Sequence, residues 1–397
     1  MRKISADFVF PVSAPPIKEG VVCTDQNGII VSLSSRDEFP KEEIEIYSGI
    51  LCPGFINSHC HLELSFLKNK IQEGGGLDNF IRDIEFARKD SSTGNIENAM
   101  LSAEKEMITN GIVAVGDISN DDASLEIKSK KNLIYHTFIE IYGFDPGRAG
   151  LVFNKGKKFL ELFESAGLST SLSPHAPYSV SEKLLELINT DSDPEKSILS
   201  IHHLENDDET DMFFHGKGKI MERLKKFGVD PSFWEAPRQR PLSWLLPKLS
   251  RAKKILLVHN TFSTKEDWLW LKNQYSVINT QAFLCLCPNA NLFIENNLPD
   301  IRLIASSGFP VCIGTDSLAS NKQLSVLEEI KTIQNHFSDI PLNTLLEWAT
   351  LNGARFLGLD TQFGSFGKGK KPGINLIENL DMNAMRIQAN TSVKKIS

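Results

Sequence analysis

His59-Cys60-His61 places two imidazoles two residues apart. On an extended strand alternate side chains share a face, so these two rings point the same way and can share a small cation. The spacing is short and common, and two ordinary core or surface histidines would read the same. Ser200-Ile201-His202-His203-Leu204-Glu205 offers a second group. Only one of its adjacent histidines can face inward. If that is His202, then His203 packs against helices and Glu205 lies just past the strand end. A histidine ligand beside a carboxylate supplies both a metal site and an acid–base group. The competing reading puts Glu205 in an acidic first helical turn with Asp207, Asp208 and Glu209.

Val258-His259-Asn260 and Gly314-Thr315-Asp316-Ser317 each close an apolar run. An aspartate after a buried strand is costly unless it is paired or bound to metal, although it can also cap the next helix. Ser173-Pro174-His175-Ala176-Pro177-Tyr178 carries His175 on a loop stiffened by two prolines. Five of the nine histidines thus sit at or just past the end of an apolar run.

The elements that must position these groups follow from the apolar pattern. Eight short runs occur at 51–56, 112–118, 133–141, 168–172, 198–201, 255–258, 283–287 and 310–313. Between most of them lie segments with helical spacing, such as 95–109 and 324–336. Strands alternating with helices predict a parallel sheet covered by helices, and eight of them predict an α/β (β/α)8 barrel over 51–364. A doubly wound open sheet is the alternative. In a barrel, strands one, five and eight converge at the carboxyl end, which gathers His59, His61, His202 and Asp316 with Glu205 and His259 nearby. Residues 1–50 read as short strands with an Asn27-Gly28 hairpin turn, and 365–397 read similarly. The two ends are expected to pair into one small β-sandwich domain. Residues 213–247 read as a long insertion after the fifth strand, placed to cover the site.

Composition excludes several classes. The chain has 397 residues, 41% hydrophobic and 23% charged, so it can bury a full core without staples. Lys+Arg is 43 against Asp+Glu 50, a net charge of −7, which argues against nucleic acid as a main partner. The six cysteines form no CxxC pair and read as reduced, buried thiols. Charges precede any long apolar run at the N-terminus, and no run approaches the ~18 apolar residues of a membrane span. A cytoplasmic protein with a small-molecule substrate, no membrane partner and a possible homodimer is the expectation.

Taken together, these motifs resemble the amidohydrolase superfamily, in its mononuclear deaminase branch, over nearly the whole chain. Pro53-Gly54-Phe55-Ile56-Asn57-Ser58-His59-Cys60-His61 is similar to the family's PGxxxxHxH, and His202-His203-Leu204-Glu205 to its HxxE. Cys287-Pro288-Asn289-Ala290-Asn291 is similar to its CPxSN with Ala for Ser, and Gly314-Thr315-Asp316 to its GTD. Asn352-Gly353-Ala354 and Gly364-Ser365 match its C-terminal NGA and GS. The resemblance implies a distorted barrel plus a terminal β-sandwich. It also implies that His59, His61, His202 and Asp316 are metal ligands and that Glu205 and His259, with Asp316, are catalytic. Binuclear members carry a lysine at the end of strand four; Ser173-Pro174-His175 stands here, which implies one divalent ion, Zn²⁺ or alternatively Fe²⁺.

The implied chemistry is hydrolytic deamination of an amino-substituted purine base or nucleoside, with metal-bound hydroxide attacking the amino-bearing carbon and ammonia released. His61-Leu62-Glu63-Leu64-Ser65, His175-Ala176-Pro177-Tyr178-Ser179-Val180 and the insertion with Gly216-Lys217-Gly218 are most similar to aminodeoxyfutalosine deaminases. Methylthioadenosine/S-adenosylhomocysteine deaminases and guanine deaminases share most of the motifs. Candidate substrate contacts are His175 to a ribose or ring edge, Ser320 facing the pocket, Glu63 binding substrate or anchoring its loop, and Arg148 meeting a carboxylate or simply solvated. Gly74-Gly75-Gly76 is expected to lend mobility to the loop after strand one. An amide- or halide-cleaving hydrolase of the same fold, and a non-catalytic metal-binding homologue, are the alternatives.

Overall fold

The computed structural model describes residues 1–89, 93–274 and 279–397. Eight strands form the central layer: β1 (Phe55–Cys60), β2 (Ile112–Ser119), β3 (Ile134–Ile141), β4 (Ser169–Pro174), β5 (Ile198–His203), β6 (Lys254–His259), β7 (Gln281–Leu286) and β8 (Val311–Ile313). They lie in two parallel four-stranded arcs, β4-β3-β2-β1 and β5-β6-β7-β8.

Polar groups close both seams. Between β4 and β5, Ser173 Oγ donates to Ser200 O at 2.6 Å and accepts from Ser200 N at 2.8 Å, and His202 N donates to His175 O at 2.9 Å. Between β8 and β1, the backbone N–H groups of Thr315 and Asp316 both donate to His59 O, at 3.0 and 3.1 Å. Asn57 clamps that seam, its amide donating to Thr315 Oγ1 at 2.7 Å and its Oδ1 accepting from Thr315 N at 3.0 Å. Gly314 is required here, because a Cβ would stand 2.8 Å from the Cβ of His59. The arcs therefore make the expected barrel. Alternation along the strands fills its interior with Ile56, Ala114, Phe138, Leu256, Phe283 and Cys312, all fully or almost fully buried. The opposite faces join the larger core beneath the helices.

Strands from both chain ends build two smaller sheets. One runs Ile30–Ser35, Gly20–Thr24, Arg2–Ser5, Glu45–Ile46, and the other Ser392–Lys395, Ile374–Glu378, Ile50–Pro53, Phe8–Val9, Ile17–Lys18. Ile4, Val22 and Ile30 of the first share a core with Val9, Leu51 and Ile374 of the second. The Asn27-Gly28 turn is present, with Asp25 Oδ1 accepting from the N–H groups of Asn27 and Ile29.

One expected run is wrong in detail. Residues 51–56 do not form a single barrel strand. Ile50–Pro53 pairs antiparallel with Ile374–Glu378, and the barrel strand starts at Phe55. Gly54 separates them, since a Cβ there would lie 2.4 Å from Val113 Cγ1. A continuous apolar run hides this break because both strands are buried on both faces. The boundary expected at residue 50 thus falls at the start of a small-sheet strand. All six cysteines are free and buried. No helix among the described residues is long and apolar enough to cross a membrane.

Lys128 and Asp117 form an ion pair at 2.6 Å with neither side chain exposed. Asp117 also accepts from Leu62 N at 2.8 Å, which anchors the chain just after His61. Lys128→Met is expected to lower the unfolding free energy by about 3–5 kcal/mol, because it strands a buried carboxylate. Urea denaturation checks this, and a loss under about 1 kcal/mol would refute it.

Candidate active site

The carboxyl ends of the strands bring the expected side chains together. His59 lies within β1 and His61 just past it, and their Nε2 atoms are 3.2 Å apart. His61 Nε2 is 3.3 Å from His202 Nε2 and 3.4 Å from Asp316 Oδ1, which is 3.7 Å from His59 Nε2. These groups are buried. Ligands of a tetrahedral ion at about 2.0–2.1 Å lie about 3.3–3.4 Å from one another. The four atoms therefore have the spacing of a coordination shell, and the cluster can hold a metal ion.

The far nitrogens fix the tautomers. His202 Nδ1 is 3.0 Å from the carbonyl of His175, which can only accept, so Nδ1 carries the hydrogen and Nε2 presents a lone pair inward. His259 Nδ1 donates in the same way to Asn291 Oδ1 at 2.8 Å. Its Nε2 is buried without a hydrogen-bond partner and lies 3.6 Å from Glu205 Oε1. Burial drives the His59 ring down to about 4 and His61 well below its usual value. Burial alone would raise the Asp316 carboxyl, but the neighbouring rings of His59, His61 and His259 hold it well below the usual range.

Glu205 behaves in the opposite way. Burial pushes its carboxyl up to about 8, against a smaller downward pull from His202. It is not part of a helical first turn, because the helix begins at Asp208. Glu209 of that helix accepts from Leu204 N and Glu205 N at 3.2 and 3.0 Å and so fixes the turn that aims Glu205. His203 points the other way, donating from Nδ1 to Asn260 Oδ1 at 2.9 Å beside Trp268.

The remaining candidates divide. His175 lines the cavity with its Nδ1 2.8 Å from Ser179 Oγ, and Arg148 lines the outer edge, exposed. Ser320 does not face the pocket. It is fully buried and its hydroxyl donates to Asp316 Oδ2 at 2.5 Å, while Ser317 lines the cavity instead. Glu63 anchors its loop, with Oε1 accepting from Arg88 Nη2 at 2.8 Å and Oε2 from Asn120 N at 2.9 Å. Of the insertion, the helix Lys219–Lys226 lines the cavity, while Trp234 and Trp244 pack with Phe213.

Sequence reasoning missed Glu140. It is the penultimate residue of β3, with Oε1 3.4 Å from His202 Nδ1 and Oε2 accepting from Asn120 Nδ2 at 2.9 Å. Its signal was available, as an acid at the carboxyl end of a barrel strand. Asn291 was quoted within a motif but given no role.

An α/β barrel with this His/Asp cluster at its carboxyl mouth is the architecture of a metal-dependent hydrolase. The chain belongs to the amidohydrolase family, which matches residues 50–396. It is 29% identical to an adenosine deaminase of Helicobacter pylori, over 79% of this chain and 75% of that one. It is 25% identical to an aminodeoxyfutalosine deaminase of Deinococcus radiodurans, over 83% and 78%. Among solved structures, H. pylori aminofutalosine deaminase in complex with methylthio-coformycin superposes with a TM-score of 0.78 at 23% identity, covering 96% of this chain and 93% of that one. An adenosine deaminase from Xanthomonas campestris with bound zinc gives 0.70 at 20%, covering 98% and 87%.

Glu140→Ala is expected to weaken Zn²⁺ binding on the order of 10–100-fold through a looser His202, and His61→Ala by more. Competition titration with a metal indicator reads both. Wild-type affinity in both variants would overturn the cluster as a metal site.

Proposed function

We propose that this chain is a hydrolytic deaminase of an amino-substituted purine base or nucleoside, with aminodeoxyfutalosine among its candidate substrates. One observation carries the reading. Four donors at coordination spacing stand beside the buried Glu205 carboxyl, whose proton affinity burial raises. Attack on an aromatic amine needs both a nucleophile and a proton for the ring; amide cleavage does not need the second.

His59, His61, His202 and Asp316 would hold one divalent ion, Zn²⁺ or Fe²⁺, for which the donor set is suited. When bound, such an ion supplies a water acidified to a pKa of about 7 as nucleophile. His259 Nε2, fixed as an acceptor by the Asn291 bond, would accept a hydrogen bond from the attacking water and aim it. Glu205 donates its proton to a ring nitrogen and makes the amino-bearing carbon electrophilic. Asp316 receives one proton of the attacking water and passes it to the departing amine, and the hydroxyl left on the ring carbon gives its proton back to Glu205 as it becomes the carbonyl. Ser320, bonded to Asp316 Oδ2, keeps Oδ1 turned to the site. His175 contacts the sugar or ring edge, and Arg148 meets a carboxylate at the substrate's far end. The reduced state of six buried thiols suits the cytoplasm.

Glu205→Gln is expected to lower kcat by on the order of 10²–10⁴-fold on adenosine-type substrates while metal content stays at one equivalent. Ammonia release and elemental analysis on one preparation check this together. Near-wild-type turnover would remove Glu205 as the proton donor. Chelation should abolish ammonia release, and Zn²⁺ or Fe²⁺ should restore it; activity that survives complete metal removal would overturn the ion's role.

A further inference from the structure

Glu329 is a fully buried carboxyl to which the proposed reaction assigns no role. It lies in the helix Val326–His336, which follows β8 in the chain. Three hydrogen bonds end on it. Oε2 accepts from Asn289 N at 2.9 Å, and Oε1 accepts from Asn289 Nδ2 at 3.0 Å and from Asn321 Nδ2 at 2.7 Å. Asn289 stands at the start of the helix Pro288–Glu295 that follows β7, and Asn321 lies in the loop that follows β8. One side chain thus joins the segments that leave two neighbouring barrel strands.

Each arm of this junction ends on a group of the site. On one side, Asn321 Nδ2 also donates to Thr315 O at 2.8 Å. That carbonyl shares a peptide unit with the Asp316 N–H, which donates to His59 O at 3.1 Å. The peptide that carries Asp316 is therefore held at both ends, and Asp316 keeps a φ of 56° that persists only under such constraint. On the other side, Glu329 fixes the Asn289 N–H, and in the next turn Asn291 Oδ1 accepts from His259 Nδ1 at 2.8 Å. The donors admit one kind of group at position 329. Thr315 O can only accept, so Asn321 turns its NH2 there and its second hydrogen reaches Oε1. The backbone N–H of Asn289 can only donate to Oε2. Both positions must therefore accept, which carboxyl oxygens do and an amide nitrogen cannot.

We propose that Glu329 is a positioning residue whose one carboxyl sets Asp316 and His259 in register with each other. It acts through Asn321 and Asn289 rather than by touching the reacting groups. The inference rests on the deaminase reading for the roles of Asp316 and His259, and it deepens that reading by naming what aligns them. A proton acceptor and a water-aiming ring come from different strands here, and a misplacement of about 1 Å can cost on the order of 10²-fold in rate.

The test compares Glu329→Gln with Gln334→Ala in the metal-loaded enzyme. Gln334 is buried on the same helix, and its Oε1 accepts from Ile387 N at 2.8 Å, a bond to the C-terminal segment rather than to either loop. It controls for a merely structural loss. Glu329→Gln is expected to lower kcat on adenosine and 5′-methylthioadenosine by on the order of 10–100-fold, with KM held within about threefold. Gln334→Ala is expected to lower the melting temperature and leave both constants near wild type. A second readout needs no turnover. With Co²⁺ as the probe ion, the visible d–d bands report ligand geometry. Those of Glu329→Gln should shift, while Gln334→Ala keeps the wild-type spectrum. Wild-type bands and kcat in a folded Glu329→Gln would overturn the proposal, as would equal losses of kcat in the two variants. Should the wild type release no ammonia, the failure belongs to the deaminase reading, and the cobalt spectra alone decide Glu329. Should Glu329→Gln fail to fold, Asn321→Ala cuts the arm to Asp316 and takes its place: shifted cobalt bands sustain the proposal, and wild-type bands remove it.

Discussion

Three ring nitrogens crowd into one buried space, with His61 Nε2 only 3.2 and 3.3 Å from the Nε2 atoms of His59 and His202. Neutral rings in that arrangement point lone pairs at each other. Protonated rings repel, and burial makes protonation of His59 and His61 unfavourable. The His202 tautomer cannot relax, because its other nitrogen is committed to the His175 carbonyl. A dication is the charge that satisfies all three lone pairs at once, with Asp316 as the fourth donor. The rest of the architecture is best understood as the means of holding that unfavourable cluster in place.

That holding is done by long-range backbone bonds. His59 O receives both Thr315 N and Asp316 N across the β8–β1 seam. The backbone pays locally: His259, Asn260 and Asp316 have φ of 72°, 56° and 56°. Left-handed conformations in residues other than glycine cost roughly 1–2 kcal/mol each and persist where surrounding contacts enforce them. Here the enforcing contacts include Asn260 N to His203 O at 3.0 Å and Asp316 N to His59 O at 3.1 Å. The strain falls at the ends of β6 and β8, where a regular strand would carry the side chain away from the axis.

Much of this was legible because period-two alternation is local. It put His59 and His61 on one face and allowed only one of His202 and His203 inward. The eight apolar runs located the barrel strands to within a few residues. What escaped notice depends on partners distant in sequence. Nothing near Glu140 announces that it reaches His202, and nothing near Ser320 announces that Asp316 will take its hydroxyl. Glu63 carried two readings, and only the positions of Arg88 and Asn120 separate them. The break at Gly54 was hidden because both flanking strands are buried, so hydrophobicity does not change across it.

The proton affinity of Glu205 depends on what surrounds its carboxyl. Burial raises the proton affinity of that carboxyl and outweighs the pull of His202 and Arg223. That balance requires a low dielectric around the carboxyl. Arg223, a cation that favours the ionised form, is paired with Asp78. Arg88 is likewise held by Glu63, away from the reacting end.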